Sequence, residues 1–227
     1  MLPGIAVLSF CLSPDDKQIV FDVLEANGES RLWIASTEHR FAPVRIGPSL
    51  DASSPLYSRS RRIYFGVFEG GHFYLHRMKE DGTQAEKISS EPIIGPPSSI
   101  SPDERFVVVR TIKRGDNLGV EALPIAGGPT VPLCSGLCNV DWTQDGKAMY
   151  FYWIPTKGSS NDRTYVVPLI RGTDFPKLPS AGFQSEAELR TDAVQMIEGA
   201  ASSGPNSSLY SFTKPILHSN LYRIPLQ

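Results

Sequence analysis

Chemistry in this 227-residue chain has three cysteines, four histidines and 24 carboxylates to draw on. Cys134 and Cys138 form the one close pair, separated by three residues. A zinc site would need further ligands at matching spacing, and none stand near. The pair either closes a local disulfide, in an oxidising compartment, or remains as two buried thiols. His72 and His76 lie four apart. On a strand they would share a face but stand about 13 Å from each other, too far to share one ion. His39 and His218 are isolated. A serine hydrolase needs its nucleophile on a Gly-x-Ser-x-Gly elbow, and neither "GPSLD" nor "CSGLC" fits. Twelve Asp and twelve Glu leave material for a glycosidase pair, but nothing in the spacing brings two of them to one cleft. The sequence therefore points to no catalytic residue, no metal site and no cofactor.

The elements that would carry any site must come from an ordinary globular composition: 41% hydrophobic, 20% charged, net charge −2. A chain of this length buries roughly 70% of the surface its unfolded form exposes, so a core is available. Gly and Pro number 19 each, which favours many turns over long helices. Lys and Arg are scattered, so no basic stripe points to nucleic acid. The longest basic cluster, Arg59-Ser60-Arg61-Arg62, reads as a solvated strand edge that discourages edge pairing. The apolar start, "MLPGIAVLSFCL", lacks a basic flank and is too short to span a bilayer. It reads as a buried strand, and this chain is expected to insert in no membrane.

A repeat organises the rest. "SPDDKQIVF" begins at Ser13, "SRSRRIYF" at Ser58, "SPDERFVVV" at Ser101 and "TQDGKAMYF" at Thr143, in steps of 45, 43 and 42 residues. Pro fixes φ and Asp accepts from nearby backbone amides, so Asp15, Asp103 and Asp145 read as turn closers. Each turn leads into an apolar run, and about a dozen residues later comes a second strand such as "RLWIAS" (31–36) or "TYVVPL" (164–169). Four short antiparallel strands every 40 to 45 residues are the mark of a β-propeller blade. The expected fold is all-β, an antiparallel propeller with four readable blades (about 6–47, 52–90, 97–134 and 139–177) and an incomplete fifth (190–227). An irregular insertion covers 178–192. Within it Ser185 and Glu188 suggest a capping box and a short helix at about 185–190, followed by a strand near 194–197. The last blade lacks an outer strand: either Met1–Ile5 supplies it and closes a five-bladed ring, or the chain is part of a larger ring.

"LSPDDKQIVF", "ISPDERFVVV" and "DWTQDGKAMYF" resemble the repeat of TolB-like, WD-repeat-like bacterial propellers. "RMKEDGTQAEKI", "CSGLCNVDWTQDGK" and "SNLYRIPL" are similar to propellers at the C-terminal end of bacterial membrane-anchored serine/threonine kinases. The second unit departs with "SRS" in place of Pro-Asp, and the fourth with Gln144 in place of Pro. No Gly-rich phosphate loop, HRD or DFG segment accompanies the resemblance, so kinase activity does not transfer. What it implies is an accessory sensor or interaction module. The absence of a signal peptide places the chain in the cytoplasm by default, and membership of a membrane-anchored kinase would place it outside.

The expected function is non-catalytic binding of a protein, peptide or small molecule. Its rivals are a glycan-cleaving or peptidase-associated domain and a structural scaffold in a larger polypeptide. Short, similar turns leave little specificity on the SPD side. The loops on the opposite side vary, and variable loops on a rigid scaffold carry binding. They offer Glu25, Glu69, His72, Arg114, Asp116 and Lys157 as polar contacts and Trp153 as an aromatic anchor.

Overall fold

A computed structural model describes residues 6–113, 117–154, 163–190, 195–204, 206 and 208–212. The repeat becomes four antiparallel four-stranded sheets. The first holds β1 (Ala6–Leu12), β2 (Gln18–Leu24), β3 (Ser30–Ser36) and β4 (Val44–Arg45). The second holds β5 (Asp51–Tyr57), β6 (Arg62–Glu69), β7 (His72–Lys79) and β8 (Glu86–Lys87). The third holds β9 (Ser99–Ile100), β10 (Phe106–Lys113), β11 (Asn117–Pro124) and β12 (Val131–Ser135). The fourth holds β13 (Cys138–Trp142), β14 (Ala148–Trp153), β15 (Arg163–Pro168) and β16 (Gln195–Glu198), with a single-turn helix α1 (Glu186–Leu189) before β16. A two-stranded hairpin, β17 (Ala201–Ser203) and β18 (Tyr210–Phe212), follows where a fifth blade would begin. The described residues form an antiparallel β-propeller with four complete blades.

One turn recurs between the first and second strand of every blade. Its first residue, Ser13, Ser58, Ser101 or Thr143, is buried. Its carbonyl accepts from the residue three further on: Asp16, Arg61, Glu104 and Gly146, at 2.9, 3.1, 2.8 and 2.9 Å. Its hydroxyl accepts from the amide that opens the next strand: Gln18 at 2.9 Å, Arg62 at 3.1 Å, Phe106 at 2.9 Å and Ala148 at 3.0 Å. In the second blade that amide comes one residue early, which absorbs the shorter copy. Asp15, Asp103 and Asp145 each accept from the amide two residues on, at 3.3, 3.2 and 3.1 Å. The fourth turn residue is left-handed each time, with φ of 57° at Asp16, 61° at Arg61, 59° at Glu104 and 68° at Gly146. Only Gly146 adopts that region without steric cost.

Side chains alternate across each strand, so successive sheets meet apolar face to apolar face. Val20, Ile34, Ile63, Phe65 and Val67 fill the seam between the first and second sheets. Tyr64, Leu75, Val107 and Val109 fill the second seam. The third is the largest, with Val108, Leu133, Met149, Phe151, Tyr165 and Phe183 among its buried members.

Four expectations change. The fourth blade does not end near 177: after β15 the chain leaves, then returns as β16 to pair with β15, matching Arg163 to Glu198 and Thr164 to Ile197. The strand expected near 194–197 is therefore that blade's outer strand rather than the start of a fifth. The irregular stretch is a strap over the third sheet, with Phe183 bridging in parallel to Cys134 at the edge of β12. The capping box does not form, because the Ser185 side chain makes no cap and Glu188 accepts instead from the Gln184 amide at 3.0 Å. The opening strand is not buried: Val7, Leu8, Phe10 and Leu12 of β1 are exposed, since the described residues set no sheet against that face. The expected closing strand, Met1–Ile5, lies outside the described residues.

Candidate functional site

On the side where the SPD turns emerge, charges are spent on neighbouring blades. The Arg61 guanidinium donates to Asp15 at 2.9 Å and to Glu80 at 2.5 Å. The Ser60 hydroxyl donates to Glu104 at 2.5 Å, and Arg105 pairs with both Asp103 and Asp174. The "RSRR" cluster is thus a tie between three blades rather than a solvated edge. The Ser13 hydroxyl and then Arg61 hold the Asp15 carboxyl down to about 2. A small hollow of about 140 Å³ remains on this side, between Pro102, Asp103, Trp142 and Asp174.

The described loop residues expected to bind each make contacts within or beside their own sheet. Glu25 sits beside Arg31 at 4.0 Å and Arg45 at 3.6 Å within its own sheet. Glu69 and His72 face each other across the β6–β7 turn, and Glu69 pairs with Lys87. The Lys87 ammonium also lies 3.1 Å above the Tyr74 ring centroid. Trp153 packs against the core of the third seam, and its indole N–H donates to the Ser135 carbonyl at 3.2 Å. That ring is committed to the seam and does not stand out as an anchor. Arg114, Asp116 and Lys157 lie outside the described residues. His76, unlike His72, is buried beside Phe65, and desolvation lowers its pKa.

Cys134 and Cys138 are joined by a disulfide with a Cα–Cα distance of 6.4 Å. Both are fully buried, and the bridge ties the outer strand of the third blade to the inner strand of the fourth. Cys11 is the free cysteine, and burial pushes its thiol pKa up. Among the described residues no group of three or more His, Cys, Asp or Glu could hold a metal ion, and no helix is long and apolar enough to cross a membrane.

The larger cavity, about 310 Å³, opens between the fourth sheet and the terminal hairpin. Its walls are Ser98, Asn139, Val140, Asp141, Tyr150 and Tyr152, with Ala200–Ser202 opposite. Ser98 precedes β9, Asn139 is near the start of β13 and Ala200 precedes β17, so three successive inner strands contribute where the inter-blade links enter. This is the side opposite the SPD turns. Strand register explains the lining: Asn139 lies across from Tyr152, and Asp141 from Tyr150, all four on the face turned from the third seam.

Asp141 is the polar centre. Ser99 of the preceding blade donates to its Oδ1 at 2.6 Å, and Ser203 of the hairpin to its Oδ2 at 2.5 Å. Burial raises its pKa, against the pull of those hydroxyls. Arg110 donates to the Asn139 carbonyl oxygen. Tyr150 is 2% exposed and its hydroxyl, buried, has no hydrogen-bond partner among the described residues. Burial raises its pKa as well, so it stays a neutral phenol. None of these residues stood out in the sequence, where Tyr150 reads only as part of an apolar run. The available signal was a Tyr-x-Tyr alternation beside the strictly apolar Met149, Phe151 and Trp153 of the other face.

No family model and no curated protein matches the chain. Solved structures do. TolB from Acinetobacter baumannii aligns with a TM-score of 0.54 and 16% identity over 72% of this chain and 41% of that one. A putative TolB from Agrobacterium tumefaciens aligns at 0.54 with 13% identity, over 75% and 61%. An oligogalacturonate lyase in complex with manganese also aligns at 0.54, with 14% identity, over 74% and 52%. The likeness is one of fold, and the chain spans about 40 to 60% of the length of these structures.

Proposed function

We propose that this propeller is a non-catalytic protein-interaction module, and that it holds an uncharged, extended peptide segment in the cavity between the fourth sheet and the hairpin. One observation carries the reading: Tyr150 walls an open cavity, and its buried hydroxyl has no hydrogen-bond partner among the described residues. A buried unpaired hydroxyl costs about 1–3 kcal/mol, a cost that a ligand amide removes. A neutral ligand fits because both Asp141 oxygens already accept hydroxyls and Arg110 is engaged with Asn139. A glycan-cleaving reading needs two carboxylates facing one cleft, and among the described residues Asp141 is the one carboxylate of the lining. The finer form of the proposal, a sensor attached to a receptor-type serine/threonine kinase, is carried by the sequence resemblance alone and would place the module outside the cytoplasm.

The test is to select peptides against the immobilised chain from a display library. Each binder is then measured against Tyr150→Phe with Asn139→Ala, and against Arg61→Ala with Asp15→Asn. Binders lost with the first pair and kept with the second support the site. Binders that ignore the first pair and are lost with the second place recognition on the SPD side, and sink it.

A further inference from the structure

Where the strap crosses the third sheet it adds one short strand to the edge of β12. The Phe183 amide donates to the Leu133 carbonyl and the Ser135 amide to the Phe183 carbonyl, both at 2.9 Å. The Ser135 hydroxyl donates to the Gln184 carbonyl at 3.2 Å. Phe183 is thereby the bridge partner of Cys134 and shares one buried cluster with the Cys134–Cys138 disulfide. Its ring meets Phe151 edge-on at 5.4 Å. Farther along, Glu186 accepts from the Tyr165 hydroxyl at 3.0 Å, and Leu189 is fully buried. Around these fastenings Ala181, Gln184, Ser185 and Ala187 are exposed, so the cover is thin. A segment with so few buried contacts opens locally at a small fraction of the cost of global unfolding.

We propose that the strap and the disulfide form a redox-sensitive latch. A dithiol reaches the bridge when the strap opens, and the reduced chain stays folded with the strap released. The exchange balances within the pair of reactants. One thiolate of the dithiol attacks a bridge sulfur and displaces the other as a thiolate. The second thiolate then closes the reductant's own disulfide and frees the first sulfur. Two electrons pass to the bridge, and each freed cysteine takes up a proton given up by the dithiol. The fold survives because a bridge over three residues closes too short a loop to add much stability by chain entropy. Thiols are also apolar enough to remain buried. Two thiols need more room than the bonded pair, however, and a close-packed interior yields it only by moving a neighbour. Strand β13 is paired to β14 through five residues, whereas Phe183 hangs on two backbone bonds. The strap is what gives.

Reduction of the intact chain by dithiothreitol, followed by alkylation and peptide mass spectrometry at Cys134 and Cys138, reads the rate. Glu186→Ala removes one fastening of the strap and should speed reduction roughly fivefold or more. Ile63→Val, in the first seam, lowers global stability but should leave the rate within about twofold of the parent's. Melting temperatures of both variants with the bridge intact establish that they fold and how much stability each has lost. In the reduced parent, amide exchange should rise at Ser135 and Phe183 while β14 stays protected. Acceleration that simply follows the loss of melting temperature in both variants means the bridge opens only with the whole fold, and overturns the latch. So does a bridge that resists reduction in the parent and in Glu186→Ala alike. A reduced chain that unfolds, or that keeps its strap protected, overturns it as well.

Discussion

The two ends of the blade stack carry the same kind of sheet and meet their surroundings differently. At the fourth sheet the end face is polar where it matters: Asp141, Asn139, Thr164 and Tyr150 interrupt Ala148, Val166 and Ile197. A short hairpin covers it, held by Ser203 on Asp141 and by Thr164, which donates to the Gly199 carbonyl at 2.8 Å and accepts from the Ala201 amide at 2.9 Å. At the first sheet the corresponding face is aromatic and aliphatic across its width, with its arginines neutralised at the rim. A polar end can be latched by a few hydrogen bonds and still keep a cavity for a ligand. An apolar end can only be covered by another apolar surface.

The strongest way to break the contrast is to unseat the strap that binds the edge of the third sheet and fills its seam with the fourth. Gly182 has φ +73°, and a Cβ there would sit 2.7 Å from the Leu133 carbonyl carbon. Gly182→Val should cost roughly 3 kcal/mol, from a left-handed β-branched residue and a backbone clash, lowering Tm by roughly 10 °C. An unchanged melting curve would mean the strap does not hold the seam. The disulfide comes next. A loop this short gains little from cross-linking, which by itself predicts tolerance. Burial overrides that expectation, because Cys134→Ser with Cys138→Ser places two hydroxyls in a closed core and should cost about 2 kcal/mol. Denaturant midpoints of the double variant check it.

Tyr150→Phe should have the opposite sign. Removing a hydroxyl that has no partner should stabilise the free protein by about 1 kcal/mol while weakening peptide binding. A destabilised free protein would show that the hydroxyl is paired and that the cavity lacks its polar handle.

The smallest expected effects are in pH dependence, and they separate the two ends by sign. The Asp15 carboxyl is depressed to about 2, so its contribution is present above the unfolded value near 4 and is lost as pH falls toward 2. The Asp141 carboxyl is raised, so stability falls as pH rises from about 4 through its folded-state value. Relative to the parent, Asp15→Asn should lose its disadvantage in acid, and Asp141→Asn should gain as pH rises. Matching slopes for the two variants would contradict the opposed environments.

Much of the scaffold could be read from the chain because it is written locally. A buried Ser or Thr, two turn residues and a left-handed fourth residue repeat the same hydrogen bonds, and even "SRSR" obeys them without Pro or Asp. What escaped was non-local. The "RSRR" run looks solvated until Glu80, Asp15 and Glu104 are brought to it from three turns. The return of β16 after a strap of more than 20 residues has no signature in strand periodicity, and local helix signals at Ser185 and Glu188 mislead about its cap. The cavity escaped for a related reason: Asp141 and Tyr150 acquire meaning only from Ser99 and Ser203, which lie about 42 and 62 residues from Asp141 along the chain. Trp153 drew attention as a loop aromatic, and packing claimed it for the third seam.

Amide hydrogen exchange, with and without a peptide selected on the intact chain, tests the central claim most directly. Binding in the cavity should slow exchange at Asn139–Trp142, Tyr150–Tyr152 and Ala200–Ser203, with Tyr150→Phe reducing that protection. Protection that appears instead at the turns around Ser13, Ser58 and Ser101, leaving the fourth sheet and hairpin untouched, would contradict the account.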